Sequence, residues 1–168
     1  MKRLASTILM AIVTLTSMNL AAQSPKSTCD PIPFDQLVEM LATDAHWDQD
    51  NLTAIGLNEI FSDSFLDEEC GEFSFFVYGK NVKVNAAEDW NLTLESNGCH
   101  AFAIEVTLMT DNGTRLYFKE KADHDAFMAS VRESSHYSRN EYNEYIGLSL
   151  IESDEYVDDW YVISVHGG

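Results

Sequence analysis

Hydrophobic and polar positions recur with two different periods along this chain, and the switches between them mark its elements. In "FDQLVEMLATDAHW" the apolar residues Phe34, Leu37, Val38 and Leu41 follow one another at intervals of three and four, the spacing of one helical face, with Asp30 or Pro33 near its start. "KADHDAFMASVRESSHY" repeats that period with a shorter stripe of Ala126, Phe127, Ala129, Ser130 and Val131, and Asp123 is the candidate cap. Each stretch predicts an amphipathic helix with one buried side. Between them the period drops to two: Trp90, Leu92 and Leu94 alternate with Asn91, Thr93 and Glu95, and Phe102, Ile104, Val106 and Leu108 alternate with smaller or polar residues. "FSFFVYG" is a further strand, rich in aromatics. The connectors "ESNGC" and "TDNGT" carry Asn-Gly, a strong hairpin signal, so residues from about 89 to 119 are predicted to form a three-stranded antiparallel meander.

A longer periodicity is superimposed on these elements. Phe34, His46-Trp47, Ile55-Gly56-Leu57, an acidic stretch and "FSFFVYG" are followed in the same order by Phe127, His136-Tyr137, Ile146-Gly147-Leu148, a second acidic stretch and "WYVISVHG". The order predicts a diverged αββ unit used twice, with the meander inserted after its first copy. Gly56 and Gly147 would then share one role, a positive φ or a close backbone approach just before a strand.

These elements predict an α+β fold: an antiparallel sheet of about six or seven strands with two helices on one face, in a single domain over residues 34–168. The architecture is similar to β-lactamase-inhibitor-like tandem repeats and other helix-on-sheet binding modules. That resemblance is one of shape, carried by no shared motif.

The first 22 residues change the picture of where such a domain works. Lys2 and Arg3, an apolar stretch from about Leu4 to Val13 and the small residues Ala21-Ala22 compose a secretory leader, with cleavage expected after Ala22 and a linker over 23–33. The reading is a secreted or periplasmic protein without membrane insertion once the leader is removed. The formal net charge is −18, and loss of Lys2 and Arg3 makes it more negative. Such charge repels nucleic acid and anionic lipid. In an oxidising compartment the three cysteines suggest one disulfide and one free thiol, expected as Cys70 with Cys99 because both border strand-like runs.

Candidate chemistry is sparse. The five histidines show no HxH, HExxH or CxxC spacing, so neither a metal ligand set nor a cofactor is read from them. No GxSxG elbow accompanies a serine, and no catalytic residue is assigned. Asp63, Asp67, Glu68, Glu69 and Glu72, with Glu152, Asp154, Glu155, Asp158 and Asp159, supply oxygens for calcium but read first as solvated charge along strand edges. "DQDNLTAIGLNE" places Asp48, Asp50 and Glu59 as an EF-hand would, yet has Leu52 and Thr53 where that loop needs a ligand and a glycine. Aromatics outside the core pattern, Trp47, Tyr137, Tyr156 and Trp160, are the candidate interaction residues, suited to a protein or carbohydrate partner. The expected function is therefore an exported, non-enzymatic binding or inhibitor-type module. The alternatives are a hydrolase using paired carboxylates and a calcium-binding module.

Overall fold

The first apolar stripe forms α1 (Phe34–Ala42), which buries Phe34, Leu37, Val38, Met40, Leu41 and Ala42. The helix ends just past the last residue of the stripe, Leu41, where Asp44 takes a left-handed φ of 57° and the chain re-enters as a 3₁₀ turn, Ala45–Trp47. The segment after it, whose acids resembled a calcium loop, is a short helix α2 (Gln49–Ala54), capped by the Asp48 carboxyl accepting the Asp50 amide at 2.9 Å. The second stripe forms α3 (Lys121–Glu133), burying Phe127 and Val131. Its flanking residue is Glu120, and Asp123, expected as the cap, lies in the first turn with its side chain buried. A computed structural model underlies this description; it covers residues 29–67, 71–88, 91–108, 113–152 and 155–167.

The molecule is mixed α+β, with a nine-stranded antiparallel sheet and three α-helices among the described residues. The strands are β1 (Asn58–Asp67), β2 (Gly71–Lys80), β5 (Phe102–Leu108), β6 (Gly113–Phe118), β7 (Ser138–Arg139), β8 (Tyr145–Ile146), β9 (Ser149–Ile151), β10 (Glu155–Val157) and β11 (Trp160–Gly167). Their order is β1-β2-β5-β6-β11-β9-β8-β7, with β10 also pairing β11. The count exceeds the six or seven expected because the polar segment after α3 adds the short strands β7 and β8, whose few residues show no alternation to read. β3 (Val82–Glu88) and β4 (Asn91–Ser96) form a separate two-stranded sheet. The expected meander is thus corrected: β5 and β6 pair as predicted, but β4 turns back on β3. The cause is visible at Asn97, whose amide donates to the Asn81 carbonyl at 2.7 Å, so this Asn-Gly pair closes β4 against the β2–β3 corner.

Alternation along β5 and β6 sets the two layers. Phe102, Ile104, Val106, Leu116 and Phe118 pack with α1 and α3 in the principal core. Phe34 meets the rings of Phe102, Phe118 and Phe127 at centroid distances of 5.7–6.1 Å. On the opposite face Val77, Ala101, Ala103, Trp160 and Val162 form a smaller core beneath Val82, Val84 and Leu94 of the β3–β4 hairpin. Helices therefore cover one face, as expected, while the hairpin covers part of the other.

The two Ile-Gly-Leu segments share an order but not a geometry. Gly56 has φ 91° and open space around an added Cβ, whereas a Cβ on Gly147 would lie 2.6 Å from the His136 carbonyl oxygen. The first glycine serves a left-handed turn and the second a close packing contact, so the common role expected for them does not hold.

Candidate functional site

The part of the sheet that the hairpin leaves open carries polar side chains. Thr107 and Glu105 on β5, Arg115 on β6, and Ser164 and His166 on β11 line a shallow depression of about 240 Å³. Their shared face follows from pairing: Glu105 lies opposite Arg115, and Arg115 opposite Ser164. Glu105 is the buried floor, accepting the Tyr117 hydroxyl and standing 3.9 Å from the Arg115 guanidinium. Burial pushes the Tyr117 hydroxyl well above its ordinary pKa, and the neighbouring Glu105 adds to the effect. Tyr117 therefore remains a proton donor to Glu105. Arg115 and His166 are exposed at the rim, and His166 Nε2 is 3.3 Å from Glu152. This set escaped the sequence reading because its members are spread over sixty residues, and only the β5–β6–β11 register brings them together.

A second cluster lies at the start of α3. His100 Nδ1 is 2.9 and 3.0 Å from the two Asp123 carboxylate oxygens, and the His100 amide donates to Glu120 at 3.1 Å. Ligand atoms of His100, Glu120 and Asp123 all lie within 4.8 Å of one another. The spacing of the histidines gives no sign of this cluster, and His100 itself does not lie on a strand. It is in a loop, with φ 51°.

A third, acidic groove of about 320 Å³ between α1 and α3 is lined by Asp35, Glu39, Glu133 and His136 among others, with His136 Nε2 3.0 Å from Glu39. His46, its counterpart in sequence order, is instead buried. Desolvation lowers its pKa to about 4, against the opposing pull of a Met40 backbone hydrogen bond and of Asp44.

The candidate interaction aromatics separate sharply. Tyr156 is exposed, at 60%. Trp160 is buried against the hairpin, its Nε1 donating to the Leu94 carbonyl at 3.4 Å and Lys119 lying over its ring. Tyr137 is also buried, its hydroxyl 2.8 Å from Ser149. Their burial corrects the assignment to a contact surface: the β3–β4 hairpin covers Trp160 and the principal core takes in Tyr137, and alternation along the chain reveals neither covering. The Trp47 side chain lies outside the described residues. Large apolar side chains that are exposed include Tyr142, Ile146 and Leu148, grouped around the β7–β8 hairpin.

Cys99 is bonded to Cys29, with Cα atoms 5.4 Å apart, in place of the expected pairing with Cys70. Cys70 lies outside the described residues.

No helix among the described residues is long and apolar enough to cross a membrane. Comparison of the chain with protein-family models, with characterised proteins and with solved structures finds no match in any of the three.

Proposed function

We propose that the chain is an exported, non-enzymatic binding module that receives a protein or carbohydrate partner on the open part of its sheet. The observation that carries this reading is the half-covered second face, where Glu105, Arg115, Ser164 and His166 surround one shallow depression. Convergent donors and acceptors over a rigid floor suit hydroxyl-rich or polar peptide ligands. The leader-like N-terminus and the Cys29–Cys99 bridge support export, since disulfides persist in oxidising compartments. Strong negative charge favours a neutral or basic partner. The hydrolase alternative calls for two carboxylates facing one substrate. The buried ones among the described residues, Glu105 and Asp123, have separate partners on separate elements.

The test is capture from an envelope fraction and on a glycan array by the mature chain, beside a variant carrying Arg115→Ala and His166→Ala. A ligand retained by the native protein and lost by the variant supports the reading and tells the two partner classes apart. Equal retention by both proteins removes the open face from the function.

A further inference from the structure

We propose that His100, Glu120 and Asp123 form a binding site for a divalent transition metal, with zinc the ion that suits the donors. The set joins one imidazole nitrogen to two carboxyl groups, and an imidazole selects zinc-like ions over the hard, oxygen-seeking calcium and magnesium. Around a tetrahedral ion with bonds of about 2.0–2.2 Å, ligand atoms stand about 3.3–3.6 Å apart. Here the imidazole-to-carboxylate separation is 2.9 Å and no ligand atom of the three is more than 4.8 Å from another. Small side-chain rotations connect the two arrangements.

The backbone that holds these groups is already organised. Glu120 and Asp123 are three residues apart at the start of α3 and so share one side of it. His100 occupies a loop fixed by the Cys29–Cys99 bridge, by Asn81 Nδ2 donating to the Cys99 carbonyl at 2.5 Å, and by the Lys119 amide donating to the Ala101 carbonyl at 3.0 Å. The Asp123 side chain is only 8% exposed while that of His100 is 29% exposed and Glu120 is exposed, so a buried anchor sits behind an accessible rim. Lys121, next to Glu120 in sequence, has its ammonium on Asp125 at 2.6 Å. When the ion binds at Nδ1 it replaces the imidazole–carboxylate hydrogen bond. The ring proton of a neutral His100 then moves to Nε2, and none is released. Three protein ligands leave a fourth position for water or for a donor from a partner, the pattern of an open rather than a closed zinc site.

The competing account is a structural latch, in which two acids complement the helix N-terminus and one of them holds His100. Calorimetric titration with zinc of the chelator-stripped protein separates the two. One saturable site per chain at micromolar or lower zinc is expected, with a rise in Tm that calcium and magnesium do not reproduce. His100→Asn, which keeps a residue tolerant of the left-handed backbone, and Glu120→Gln, at an exposed position, should each weaken zinc at least about 10-fold. Zinc affinity should be unchanged by His136→Gln and His166→Gln. Absence of saturable zinc binding, equal affinity in the native chain and in a folded Glu120→Gln variant, or calcium bound as tightly as zinc would each overturn the proposal. This test reads metal alone, so its outcome is independent of whether the open sheet face binds a partner.

Discussion

The two sides of the β5–β6 hairpin differ in chemistry along their length. Toward the helices it presents Phe102, Ile104, Val106, Leu116 and Phe118, in continuous contact with α1 and α3. Away from them it presents Ala103 and Tyr117 at the covered end, then Glu105, Thr107 and Arg115 where the β3–β4 sheet no longer reaches. One strand pair thus holds the fold together with one face and displays polar groups with the other. The same backbone hydrogen bonds support both, so the displayed face can vary in chemistry without loss of the scaffold.

Truncation to alanine on the two faces should therefore have very unequal effects. Phe118→Ala removes a ring packed against Phe34, Phe102 and Phe127 and should destabilise the protein by about 3–5 kcal/mol. Thr107→Ala, on the same hairpin but on the open side, should change stability by less than about 0.5 kcal/mol. Chemical denaturation of both variants checks the contrast. Similar losses at the two positions would erase it.

The helix-facing side was legible in the sequence and the open side was not, for a physical reason. Periodicity reports which residues of an element avoid water, and it located α1, α3 and β5 through Phe34, Leu37, Phe127 and Ile104, while the Asn-Gly turn preceding β6 placed that strand. Periodicity is blind to what later packs on a strand. The burial of Trp160 depends on β4 folding back over it, and the partner of Cys99 depends on which corner of β2 the N-terminal segment crosses. Both polar clusters are likewise products of the tertiary fold: Glu105 meets Tyr117 across twelve positions through the β5–β6 register, and His100 meets Asp123 across twenty-three through the docking of its loop on α3. Neither spacing resembles a motif.

His46 offers a second contrast, since it is a titratable group on the helix-facing side. Its Nε2 is 3.5 Å from Thr114 on β6, and burial lowers its pKa to about 4, below the ordinary value of 6.5. Between pH 6.5 and 4 the unfolded chain therefore takes up a proton that the folded chain does not. Stability contributed by neutral His46 is intact above pH 6.5, falls as the pH drops through this window, and is about 3 kcal/mol lower by pH 4. Comparing native and His46→Leu proteins over that range by urea denaturation isolates the residue from the carboxyl groups that titrate in both. Parallel curves would show that His46 is not responsible.

The smallest effect concerns the buried carboxyl group on the displayed face. Tyr117→Phe removes the hydroxyl that donates to Glu105 and leaves Arg115 at 3.9 Å as its nearby charge, so a loss of about 1–3 kcal/mol is expected. Adding Glu105→Leu to that variant takes away the stranded acceptor, and much of the lost stability should return, because removing both partners of a buried polar pair is often nearly neutral. Glu105, the floor of the depression on the open sheet face, would then be a polar group that the scaffold can discard. If the double variant instead loses more than about 3 kcal/mol in thermal denaturation, Glu105 and Tyr117 belong to the folding core, and the two faces of the hairpin are less different than their chemistry suggests.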